Sequence, residues 1–171
     1  MEVYARKIRI QLQIIVDANN KKIMNLRFSV WFMILASFII QFVFMSLLMT
    51  DNLSNITFSL GKFYLSCIMG LIMGLLEVVM YDYHHGIVSL YYHLSIVFIL
   101  ICFIYVYRNQ MYIDDKEYLK EMTEHHSMAL LTSEEILQKT SSERVKKLAE
   151  TIVETQQKEI DYMRDLIKYD S

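Results

Sequence analysis

Two short runs near the C-terminus hold the side chains with the most chemistry to offer. The first is Met122-x-x-His125-His126-x-x-Ala129, and the second is Gln156-x-x-Glu159-Ile160-x-x-Met163. Imidazole suits copper, zinc, iron and nickel, whereas thioether sulfur favours monovalent copper or silver. A carboxylate can complete such a shell, or fix a histidine tautomer from behind it. The Met and His mixture therefore points to copper or silver more than to zinc. It also departs from di-iron bundles, which use Glu-x-x-His on two helices; here the residue three before His125 is Met122. The bland alternative is that helical histidine pairs are solvated and that methionine on a seam is packing.

These residues need two helices to bring them together. Asp114-Asp115-Lys116-Glu117 reads as a helix start, with Asp114 as N-cap and Glu117 three residues on. That helix is expected to run to about Gln138. Thr140-Ser141-Ser142-Glu143 is a turn that could open a second helix, ending near Lys168, and no proline interrupts either one. On the second helix Val145, Ala149, Ile152, Gln156, Glu159, Met163 and Leu166 alternate steps of four and three, a seam that faces a partner helix. Two of its positions are polar and adjacent, and such a seam needs polar partners opposite. Met122, Ala129 and Ile136 recur on the first helix, flanked by the two histidines. An antiparallel hairpin turning near Thr140 would set Met122 against Glu159, His125 against Gln156, and Tyr118 against Met163.

The stretch from Tyr118 to Ala129, followed by Val145 to Met163, resembles the domain-of-unknown-function 305 family. Met122, His125, His126, Ala129, Gln156, Glu159, Ile160 and Met163 all fit its pattern of a Met, a His pair and an Ala, then Gln-x-x-Glu-Ile-x-x-Met. The resemblance implies a ferritin-like helical hairpin associated with copper or other metals, with these residues at the site. One branch of the family carries three membrane spans ahead of a single hairpin. This chain departs from the pattern before the His pair, where Thr123-Glu124 replaces the family's usual Ile-Pro. The proline is lost, and a carboxylate is gained beside the site.

A lone hairpin leaves an apolar stripe uncovered, and a second copy would complete a four-helix bundle. A homodimer is expected, with the site near its core.

The rest of the chain has a membrane composition. Of 171 residues, 54% are hydrophobic and 21% charged. Residues 28–49 carry no charge and are long enough to cross a hydrocarbon core of roughly 30 Å. Residues 63–81 contain one acid, Glu77, and residues 87–107 one titratable imidazole, His93. Six basic residues precede the first run, whereas the loop 50–62 has only Lys62 and the turn 82–86 has none. The positive-inside rule then puts the N-terminus in the cytoplasm and everything after residue 107 on the extracytoplasmic or lumenal side. Sequons at Asn52 and Asn55 fall in the outer loop, compatible with that orientation. Glu77 and His93 lie at similar depths and could pair. Gly70 and Gly74 form a Gly-x-x-x-Gly packing face. Asp82, His84 and His85 make a polar turn with some metal or proton-binding capacity. Cys67 and Cys102 read as small buried hydrophobes.

The N-terminal residues are ambiguous. Ile8, Ile10, Leu12 and Ile14 alternate with polar residues like a strand, while Tyr4, Ile8, Leu12 and Ile15 form a helical stripe. A short strand or hairpin is favoured, with a turn at residues 17–20.

The expected fold is all-α: a basic cytoplasmic segment (1–27), three transmembrane helices (28–107) and a hairpin (108–171) that is half of a ferritin-like four-helix bundle. The last region has ten basic and fourteen acidic groups, well mixed, which argues against a nucleic-acid surface. No phosphate loop or nucleophile elbow points to an enzyme. The expected role is to hold copper- or silver-type ions for sequestration, tolerance or delivery, with lipid and a second copy as partners. The rival expectation is a structural, oligomerising membrane protein that binds a protein partner and no metal.

Overall fold

The computed structural model describes residues 2–169, with the side chains of residues 2–5, 7, 8, 15 and 17–25 left aside. Helix α1 (Glu2–Ile39) passes through a π turn (Ile40–Phe44) into α2 (Met45–Met49). A 3-10 turn (Leu53–Asn55) leads to α3 (Leu60–His85), followed by α4 (Leu90–Arg108), α5 (Asp115–Leu137) and α6 (Glu143–Tyr169). Among the described residues there is no strand.

The N-terminal strand and turn are thus replaced by unbroken helix. Once the apolar helix from Leu26 onward is formed, extending it backwards needs no new nucleus. A lone hairpin would be marginal without further strands to pair with.

Three stretches are long and apolar enough to cross a membrane: Leu26–Met49, Leu60–His85 and Leu90–Arg108. Leu26 and Val30 of α1, Leu71 and Val78 of α3, and Ile96 of α4 form their common core. The two glycines let α1 approach α3 closely. A methyl group on Gly70 would lie 2.8 Å from the Ile34 carbonyl oxygen, and one on Gly74 would lie 2.5 Å from Ile34 Cγ1.

The Glu77–His93 pairing is corrected. Glu77 accepts a hydrogen bond from Ser29 Oγ on α1. His93 Nε2 lies 2.9 Å from Asp82 Oδ2, and the same carboxylate accepts from Ser89 N and Ser89 Oγ at 2.7 Å each. Sequence depth alone favoured Glu77, but the αL residue Gly86 (φ 61°) ends α3 and folds the chain back toward Asp82. Of the turn histidines, His85 stacks on Tyr81 and bonds its carbonyl, and His84 packs edge-on to Tyr83.

Asp114 caps α5 as its sequence predicts, accepting from Glu117 N at 2.8 Å. Helices α5 and α6 then pack around Leu130, Ile160 and Met163, with Leu119, Met122 and Val153 against them. The seam of α6 is the expected one in part, with Ala149 and Met163 buried and Ile152, Gln156 and Leu166 half-buried. Ile160 is fully buried, while Glu159 and Val145 lie exposed on its flank.

Candidate metal centre

Across this hairpin, His126 Nδ1 on α5 lies 3.0 Å from Glu159 Oε2 on α6. The nitrogen is itself inaccessible to solvent and makes no aligned hydrogen bond, so the approach to the carboxylate is close but oblique. Gln156 Nε2 donates to the same carboxylate oxygen at 3.4 Å. One turn from His126 on α5 sits Met122, and one turn from Glu159 on α6 sits the buried Met163. The apolar core therefore walls this pair of polar groups on one side.

Glu159 meets His126 rather than the expected Met122, a shift of about one helical turn. Side chains on a helix lean toward its N-terminus. On antiparallel partners this lean makes contacts between residues further along both chains than Cα heights alone would pair. The sign of the shift follows from that tilt.

His125 takes another direction. Its ring plane is inclined at 61° to that of His126, with centroids 6.4 Å apart, and it lines a cleft of about 180 Å³ between α5 and the layer of α2 and α3. Met45, Met49, Met128, Gln41 and Glu121 line the same cleft. Ala129 stays beside the hairpin core, half-buried. The structure thus brings His126, Glu159 and Gln156 into contact, with Met122 and Met163 adjoining, and separates His125 from them. Among the described residues, no group of three or more His, Cys, Asp and Glu is placed to hold one metal ion. A single chain offers a nitrogen and a carboxylate, and soft sulfur close by.

The side of α5 away from α6 is pinned to the layer of long apolar helices. Glu124 accepts from Ser46 Oγ, from Thr57 N at 2.9 Å and from Lys62 Nζ at 3.0 Å. Glu117 accepts from Leu60 N at 2.5 Å, and Thr57 Oγ1 donates to the Lys120 carbonyl at 2.8 Å. Buried Ser127 bonds Asp51, and Arg164 of α6 reaches Ser54 and Asn55. Asn55 is buried by these contacts and bonds Asp51, so its sequon is closed, whereas Asn52 is exposed. Glu121 lies over Gly61, where a methyl group would come within 1.8 Å of its carboxylate. Burial pushes the Glu121 carboxyl above its ordinary range; His125 opposes this, and Glu124 and Glu117 reinforce it.

Sequence reading missed this polar dock and the methionine cleft. The signals were present as Met45-x-x-x-Met49 and His125-x-x-Met128, two same-face spacings, but the first pair lay inside an apolar run that reads simply as membrane helix.

No solved structure matches the chain. It is 33% identical over 135 residues to "Uncharacterized protein L153" of Acanthamoeba polyphaga mimivirus, covering 79% of this chain and 88% of that protein. An alignment that long cannot fit inside residues 108–171, so the similarity reaches into the apolar helices. Residues 110–167, from the linker through α5 and most of α6, match the family described as "Domain of unknown function (DUF305)". With its hairpin motif and this relative both in place, the chain belongs to the DUF305 family.

Proposed function

We propose that this is a membrane-anchored binder of soft monovalent metal ions, copper or silver in type, serving sequestration, tolerance or delivery rather than catalysis. The observation that carries the reading is the solvent-inaccessible Nδ1 of His126, which makes no aligned hydrogen bond although Glu159 lies 3.0 Å away. A buried polar atom without a partner is costly, and a ligand is one way to satisfy it. The donor set fits in part: His126 and Glu159 would hold the ion, with Gln156 orienting the carboxylate and Met122 and Met163 supplying thioethers. A bound ion here supplies affinity and charge, and His126 must be neutral to take it. Because one chain gives few strong donors, a second copy docking on the hairpin completes the bundle and adds its own. Exposed Leu148 and Tyr162 on α6 are apolar surface available for that contact.

In this reading the three apolar helices cross the bilayer, the N-terminus is cytoplasmic, and the ferritin-like hairpin is extracytoplasmic or lumenal. The contacts of α5 and α6 with residues 51–57 support an odd number of crossings, because the end of the first span and the end of the third must then share a side.

The test is a cuprous-ion competition titration of the full chain in detergent. Wild type should bind, and the double substitution His126→Ala with Glu159→Gln should lose one equivalent of that binding while keeping its helix content. Equal binding by both forms rejects the site. The absence of a three-donor set of His, Cys, Asp and Glu among the described residues favours a second reading, a structural module that assembles through its helices. Failure of wild type to bind any ion, with dimers still present, would select it.

A further inference from the structure

We propose that the cleft between α2 and α5 is a separate site for a soft monovalent cation at the membrane boundary, with Met45, Met49, His125 and Met128 as its donors. It goes beyond the hairpin site and shares no ligand with it.

Three observations carry the assignment. The cleft is lined by three thioethers and one imidazole, drawn from two elements far apart in sequence. Neutral sulfur donors with one imidazole favour d10 monovalent ions and give hard divalent cations little. The helical geometry also aims them together. Met45 and Met49 are four apart on α2, and His125 and Met128 three apart on α5, so each pair shares a helix face. The π turn Ile40–Phe44 sits immediately before Met45. A π turn inserts one residue into the helix, which turns the following face by about 100°. Without it, the methionines of α2 would be rotated by about 100° around the helix axis from their present direction.

The volume of about 180 Å³ leaves room for an ion and its side chains to close on it. Glu121 in the same wall offers a carboxylate near a bound cation without adding a hard ligand to the sulfur set. Lys62, which also borders the cleft, is held by Glu124, so its charge is neutralised locally. The polar dock around Glu124 fixes α5 against α2, and so fixes the four donors relative to one another. A cation bound here would lie where the hairpin meets the outer end of the first span.

Silver ion titrated calorimetrically into the full chain in detergent tests the assignment, followed by methyl resonances of labelled methionine. Wild type should bind two equivalents per chain. Met45→Leu, Met49→Leu and Met128→Leu together should remove one of them, because leucine keeps the volume and removes the sulfur. The same ion should shift the Met45, Met49 and Met128 methyl signals. In His126→Ala with Glu159→Gln the cleft equivalent should persist, so loss of the hairpin site and loss of this one are read separately. Unchanged stoichiometry and affinity in the triple-leucine protein would overturn the proposal, as would silver that leaves those three methyl signals in place. His125→Ala, which removes no packing sulfur, should weaken the cleft equivalent at least tenfold; no change would overturn its role as donor.

Discussion

Glu124 meets Ser46, Thr57 and Lys62, groups on α2, on the following loop and on α3, and its side chain is only 13% exposed. Its carboxylate is a polar anchor between the hairpin and the layer of apolar helices. Removing one partner of a largely buried ion pair leaves the other uncompensated, at a cost of about 3 kcal/mol. Glu124→Gln should therefore loosen the dock, seen as faster amide exchange across residues 51–57, while exchange in the α5–α6 core stays slow. Unchanged exchange in the loop would show that Lys62 is satisfied without it. Lys62 also has aromatic company, with its ammonium 5.4 Å and 5.3 Å from the Phe42 and Phe58 rings. Glu121 behaves in the opposite sense. Its carboxyl is held above the ordinary range by burial, so the folded state holds that proton more tightly than the unfolded chain does. The stability it contributes is present at acid pH, below the unfolded value of about 4.3, and is lost as pH rises through the folded value. His125, Glu117 and Glu124 face the same carboxyl. In metal-free detergent samples, Glu121→Gln should flatten the fall in melting temperature between acid and neutral pH relative to wild type. Identical pH profiles would contradict this.

At the scale of elements, glycine placement decides how α1 and α3 meet. Gly70 opposes a backbone carbonyl that cannot step aside, whereas Gly74 opposes Ile34 Cγ1 and Cδ1, side-chain atoms that yield at the cost of a strained χ1. Gly70→Ala should therefore destabilise the helical layer by about 2 kcal/mol, and Gly74→Ala by clearly less. Detergent unfolding midpoints of the two variants check the order, and equal losses would contradict it. Much of this level was legible in advance. The three apolar runs, the N-cap at Asp114 and the Gly-x-x-x-Gly face each carry a local signal that needs no knowledge of the rest of the chain. The failures share a different cause. Whether Glu77 or Asp82 reaches His93 depends on the left-handed turn at Gly86, and whether Met122 or His126 reaches Glu159 depends on side-chain tilt. The N-terminal alternation fits strand and helix equally, and continuity with α1 decided it. Those are tertiary choices, and sequence periodicity does not contain them.

For the whole molecule, the consequence is a hairpin that is docked and not tethered. Loop 51–57 is held by α5 from one side and by Arg164 of α6 from the other, so a movement of the hairpin is felt at the end of the first span. The His pair, read from sequence as one ligand unit, is divided between two surfaces of α5. His126 turns to α6, and His125 turns to the cleft shared with α2 and α3. On the readings proposed above, the hairpin holds one ion and the cleft between α2 and α5 offers a second set of soft donors. The most direct measurement is the anomalous diffraction of crystals of the full chain grown with cuprous ion. A copper peak is expected within bonding distance of both His126 Nδ1 and a Glu159 carboxylate oxygen. Copper found only elsewhere, with that nitrogen still unliganded, would contradict it.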